Sequence, residues 1–108
     1  MKRGDIVRVV AAGDYGKPRP ALVVQSDALD GLASIILCLF TSDLVEQPRL
    51  RLRVEPSPTN GLKLTSHLMV DKINAVSVER CRGTIGTIEA ETMVLVDQRL
   101  LMVLGLSD

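Results

Sequence analysis

Apolar residues along this chain come in short blocks punctuated by Gly, Pro and Asp, a spacing that favours strands over long helices. Gly4 to Val10, with Ile6, Val7, Val9 and Val10 in weak alternation, predicts a first strand. Ala11 to Pro20 reads as a loop carrying two glycines and two prolines, and Ala21 to Gln25 as a second strand. After a polar turn from Ser26 to Gly31, Leu32 to Phe40 is apolar almost throughout, which predicts a central strand buried on both faces. Leu50 to Val54 alternates most cleanly, with Leu50, Leu52 and Val54 on one side and Arg49, Arg51 and Arg53 on the other. A turn-rich connection with Pro56, Pro58, Asn60 and Gly61 follows. Leu64 to Val70 and Ile73 to Val78 read as two strands separated by Asp71-Lys72. Arg82 and Gly83 mark a turn before a short extended piece, Thr84 to Ile88.

Only Glu89 to Leu104 has helical periodicity. Met93, Val96, Leu100, Val103 and Leu104 fall on one stripe, with Glu89 and Glu91 at the favourable N-terminal end and Gly105 as a stop. Val94, Leu95, Leu101 and Met102 widen the apolar surface beyond that stripe, which predicts cover on a second side, from another subunit. The pattern is that of a mainly β (α+β) domain spanning residues 1–108 and ending in a helix.

Composition narrows the classes of function. With 46% hydrophobic residues but Tyr15 and Phe40 as the only aromatics, the core is aliphatic. A formal net charge of zero argues against a protein that coats nucleic acid by bulk electrostatics. Residues 1–53 hold eight Lys/Arg against six acids, so a nucleic-acid surface has to be a local patch in that half. Cys38 and Cys81 have no paired spacing and His67 is the sole histidine, a set that predicts neither a disulfide, a metal site nor a cofactor. The longest apolar run is too short to span a membrane, and Asp5 and Arg8 interrupt any leader-like segment. The expected compartment is the cytoplasm.

Three places carry candidate chemistry. In Lys17-Pro18-Arg19-Pro20, two stiff residues hold Arg19 at the mouth of a buried strand, which preorganises its guanidinium as an anion clamp; an exposed turn arginine is the plainer alternative. Thr41 and Ser42 leave the buried third strand, where hydroxyls are held rigidly enough to bind phosphate, although such residues also end strands for local reasons. The Arg49, Arg51 and Arg53 stripe repeats about every 6.6 Å, near the spacing of phosphates along an extended single strand. It reads equally as a solvated edge that discourages pairing. Tyr15 is either a base-stacking platform or a cap on one end of a barrel.

Arg3-Gly4-Asp5-Ile6-Val7 followed by Lys17-Pro18-Arg19-Pro20 resembles the opening of the MazF/PemK family of toxin ribonucleases. Phe40-Thr41-Ser42, Ser66 to Lys72 and the terminal Leu104-Gly105-Leu106 extend the likeness in order along the chain. The resemblance implies a small, strongly twisted SH3-like or CcdB-type β-barrel of six to seven strands with a C-terminal helix. It implies a homodimer that cleaves single-stranded RNA at short sequences without a metal, and a cognate antitoxin whose disordered acidic C-terminal segment occupies the same groove. On the matching positions it makes Arg19, Thr41 and Asp71 catalytic; Tyr15, Lys17, Ser42, Arg49, Arg51, Arg53, Ser66 and His67 are the residues expected to bind the RNA around them. The chain departs from family members that place an arginine two residues before the acid, since Met69 stands there. His67 is then a second candidate for proton acceptor. The same barrel also serves toxins that bind gyrase without catalysis, through a tryptophan this chain lacks, and an SH3-like peptide adaptor is the other non-enzymatic alternative.

Overall fold

In a computed structural model, which describes residues 1–10, 17–46 and 49–107, six strands form one antiparallel sheet closed off by a helix. The strands are β1 (Asp5–Val10), β2 (Pro18–Val23), β3 (Ser34–Thr41), β4 (Arg51–Val54), β5 (Ser66–Ser77) and β6 (Cys81–Thr87), followed by α1 (Ala90–Val103). Their spatial order is β4-β5-β3-β2-β1-β6. β4 and β6 are therefore edges, and the sheet is twisted but open where a closed barrel is implied by the family likeness.

Successive residues on a strand point to opposite faces, and β1 shows what this does with an apolar run. Ile6 enters one core with Leu22, Cys38, Phe40, Leu68, Val70 and Val96, while Val7 and Val9 enter a second with Ala21, Val23, Leu37 and Val76. α1 covers the first core with Met93, Val96, Leu100 and Val103, packing on β5. Leu104, expected on that stripe, is the C-cap and 57% exposed. The helix stops at Gly105, where φ is +73°. The Gly105 N–H bonds the Met102 carbonyl and the Leu106 N–H the Leu101 carbonyl, a Schellman ending.

Several expected boundaries move. β5 runs unbroken through Asp71-Lys72, because the mismatch with β3 is absorbed as a bulge. Cys38 pairs with Ile73 and Phe40 with Leu68, leaving one residue on β3 against four on β5. Arg82 and Gly83 lie inside β6, where Gly83 takes φ +110° and the register with β1 slips. β2 begins at Pro18, inside the expected loop. Pairing of β2 with β1 runs from Pro18, but its register with β3 begins only at Ala21. Pro18 and Pro20 carry no N–H to donate, so the two strands part at this end.

Candidate active-site cleft

Where β2 and β3 part, a cleft of about 320 Å³ opens. Pro18, Arg19 and Pro20 form one wall and Phe40, Thr41 and Ser42 the other, with Leu62, Lys63, Leu64, Ser66 and Ile85 across the mouth and Arg8 beside Pro20 on β1. Continuing the β2–β3 register past Ala21↔Leu39 by two residues on each strand sets Arg19 opposite Thr41. Among the described residues, three cations, Arg8, Arg19 and Lys63, line the cleft and no carboxylate does. Such a site attracts a phosphate and gives it donors on both sides. A larger hollow of about 560 Å³ lies elsewhere, but there Lys2 meets Asp27 and Asp30, which is the wrong balance for a polyanion.

The rim is fixed by a buried polar knot. Asn60 is fully buried, and its Oδ1 accepts the N–H groups of Ser57 and Leu62 at 3.0 and 2.9 Å. Its Nδ2 donates to the Glu55 carbonyl at 2.9 Å and to the Glu89 carboxylate at 3.1 Å. Ser57 Oγ donates to the same carboxylate at 2.8 Å. Burial pushes Glu89 up, but the bonds from Ser57, Asn60 and its backbone outweigh this and hold it below the usual carboxylate range. Gly61 adopts φ +71°, and a Cβ there would strike the Ile85 backbone. The loop that carries Lys63 and Leu64 is thus clamped to β6 and to the start of α1. Midway along the helix, Asp97 Oδ1 accepts from Arg3 at 2.6 Å, and Arg3 Nε also donates to the Val24 carbonyl at 3.0 Å. The Arg3 of the sequence motif is therefore a structural latch between β1 and α1.

Of the residues singled out from the sequence, Arg19, Thr41, Ser42 and Ser66 line the cleft. Thr41 Oγ1 accepts the Asp43 N–H at 3.1 Å, which leaves its hydroxyl proton free to donate. Ser66 is buried and donates its hydroxyl proton to the Leu64 carbonyl at 2.9 Å, so it shapes the mouth. Lys17 is exposed just before β2, and Tyr15 lies outside the described residues. The arginine stripe is not uniform. Arg53 pairs with Glu55 at 2.9 Å, and bonds from Thr65 and then Arg53 hold that exposed carboxylate low. Arg51 has its Nε enclosed without a hydrogen-bond partner among the described residues, and Arg49 reaches Met102 Sδ at 3.9 Å.

Neither Asp71, which sits in the β5 bulge, nor His67 is among the described residues lining the cleft. Burial, with the Asp71 charge added, pushes the Cys38 thiol up to about 11. Both cysteines are free. His67 is 4% exposed and is paired with Thr41 on β3 and Arg53 on β4. Arg8, Lys63 and Leu64 escaped the sequence reading. Arg8 had a signal, as the exposed cation between buried Val7 and Val9, whereas Lys63 and Leu64 reach the cleft only through the folded loop.

Comparison with known proteins supplies the context. Residues 2–104 match the family described as PemK-like, MazF-like toxin of type II toxin–antitoxin system. The chain is 41% identical over 108 residues to a protein of Mycolicibacterium smegmatis named probable endoribonuclease MazF, covering 99% of each. Among solved structures, it superposes with a TM-score of 0.83 on an endoribonuclease bound to its cognate antitoxin from a mycobacterial species, at 21% identity, covering 100% of this chain and 98% of that one. A MazE–MazF complex from Deinococcus radiodurans gives 0.80 at 21% identity, covering 99% and 97%. At that identity the structures establish the fold.

Proposed function

The chain belongs to the PemK-like, MazF-like toxin family of type II toxin–antitoxin systems, and from that premise we propose that its proline-walled cleft cleaves single-stranded RNA without a metal. The endoribonuclease activity accords with the named activity of the 41% identical relative. The observation that carries the chemistry is the convergence of Arg8, Arg19, Lys63, Thr41 and Ser42 around one cleft.

Cleavage by the substrate's own 2′-OH needs a proton acceptor, stabilisation of the charged phosphorane and a proton for the departing 5′-oxygen. Arg19 serves as a fork on the non-bridging oxygens, since a guanidinium stays protonated and offers paired donors. Thr41 donates its hydroxyl from the opposite wall. DNA lacks the attacking group and is not a substrate. Lys17, Arg49, Arg51 and Arg53 guide the flanking backbone, with Tyr15 and Ser42 near the cut site. Asp71 and His67 are the two candidates for the proton acceptor.

We place residues 1–108 in one toxin domain acting in the cytoplasm as a homodimer, silenced by an antitoxin with an acidic, initially disordered C-terminal tail that folds on binding. Antitoxin-bound structures of relatives support this reading. Among the described residues, no helix is long and apolar enough to cross a membrane.

The test uses purified protein in excess EDTA on a long single-stranded RNA, wild type beside Arg19→Ala, with every new end mapped. Discrete cuts ending in 2′,3′-cyclic phosphate, absent in the variant, are expected. Equal cutting by both proteins would trace the activity to a contaminant, and no cutting by a folded dimer would favour a binding-only toxin.

A further inference from the structure

The β3–β5 and β5–β4 registers align Thr41, His67 and Arg53 directly across three strands. Their neighbours Phe40, Leu68 and Leu52 point into the core under α1, so this row lies on the opposite face of the sheet. Side chains directly opposed on antiparallel strands have Cβ atoms roughly 5 Å apart. His67 therefore stands beside the residue that holds the phosphate, and Arg19 extends the row on β2. The ring is 4% exposed, and its Nδ1, like Asp71 Oδ1, is enclosed with no hydrogen-bond partner among the described residues, so the register beside Thr41 is what separates the two candidates. A buried ring nitrogen left unsatisfied is destabilising, and a substrate hydroxyl would supply its missing partner.

We propose that His67, and not Asp71, takes the proton from the attacking 2′-hydroxyl. This assignment rests on the ribonuclease reading. The imidazole takes the 2′-OH proton as the 2′-oxygen forms its bond to phosphorus. The bond from phosphorus to the 5′-oxygen breaks, and that oxygen leaves with the electron pair. It takes a proton from solvent, and the imidazolium returns its own proton to solvent. The charged group paired opposite His67 is Arg53 from β4, itself bonded to Glu55; Arg19 lies on β2 beyond the intervening β3, and Asp71 lies in the β5 bulge.

Because His67 is the sole histidine, the wild-type protein contains its own probe: one imidazole C–H signal in a proton–carbon NMR spectrum. Its titration is compared with the acidic limb of kcat/KM on a short RNA containing the mapped cut site. The two midpoints should coincide, and the signal should move when the same RNA with one 2′-deoxy substitution at that site is added. His67→Gln should lose about a hundredfold or more in kcat/KM and the acidic limb, while binding of the 2′-deoxy RNA changes less than about threefold. Coincident midpoints would support the assignment even if the variant does not fold. A signal whose midpoint misses the limb overturns it. So does a folded variant that cuts normally or loses binding together with cutting, or an acidic limb that disappears in Asp71→Asn instead. A wild type that cuts no RNA overturns this assignment and the ribonuclease reading together. Cutting by wild type, none by Arg19→Ala and normal cutting by His67→Gln overturns only the assignment.

Discussion

At the residue scale, the proposed function divides the cleft into groups that would meet substrate and groups that hold those groups in place. Arg19→Ala and Thr41→Ala should each raise the cleavage barrier by roughly 3 kcal/mol or more, the usual effect of deleting one donor to a developing oxyanion. Single-turnover cutting of a defined RNA checks this, with thermal melts expected to stay near wild type because Arg19 is exposed and Thr41 only half-buried. Asn60 belongs to the second kind. Asn60→Ala strips partners from two N–H groups, a carbonyl and a carboxylate, and should lower unfolding stability by about 3 kcal/mol in urea titrations. The same knot sets an acid response. A carboxylate held low when folded stabilises the protein above its ordinary value near 4.3 and loses that contribution as pH falls through the folded value. Urea midpoints should therefore drop as pH falls below about 4.3, and Asn60→Ala should flatten the part due to Glu89. Glu55, low through Thr65 and Arg53, adds in the same direction.

At the scale of elements, two irregularities decide what the sheet can do. The first is the parting of β2 from β3 at Pro18 and Pro20. Pro20→Val restores an N–H and suits a strand, so the ladder can extend and narrow the cleft. Stability should stay within about 1 kcal/mol of wild type, while cutting should fall by about tenfold or more as Arg19 and Thr41 lose their spacing. The second is the β5 bulge, which sets Asp71 near the buried Cys38. With that thiol pushed up to about 11, a thiol reagent at pH 8 should label only Cys81 in the native protein and both cysteines in denaturant. Mass spectrometry counts the labels. The raised thiol also contributes stability that is present below its unfolded pKa and is lost as pH rises toward 11.

For the whole molecule, α1 decides how much apolar surface remains to be covered. Its inner stripe closes the first core, yet Val94, Leu95 and Leu101 are 56, 45 and 44% exposed on its outer side. Val94 and Leu101 are two turns apart and share a face. Changing both to Glu should leave the fold intact and shift a micromolar dimer toward monomer in sedimentation runs. Wild-type mass at the same concentration would place the dimer contact elsewhere.

Much of this was legible along the chain because it depends on near neighbours. Alternation placed β1 and β4, a continuous apolar run placed β3, the helical stripe and Gly105 placed α1, and the fixed dihedrals of Pro18 and Pro20 marked Arg19. Boundaries failed where pairing with a distant strand overrides local signals. Asp71-Lys72 reads as a break but is carried through β5 as a bulge, and Arg82-Gly83 reads as a turn but continues β6 because β1 pairs with it. The cleft belongs wholly to the tertiary structure. Arg8, Arg19, Thr41 and Lys63 come from four separate stretches of sequence, and only the strand order, with the knot of Asn60 and Glu89 holding the loop, brings them around one opening. His67 shows the same division. In sequence it is a lone histidine on a strand, and its place opposite Thr41 follows from a register that only packing of the two faces determines.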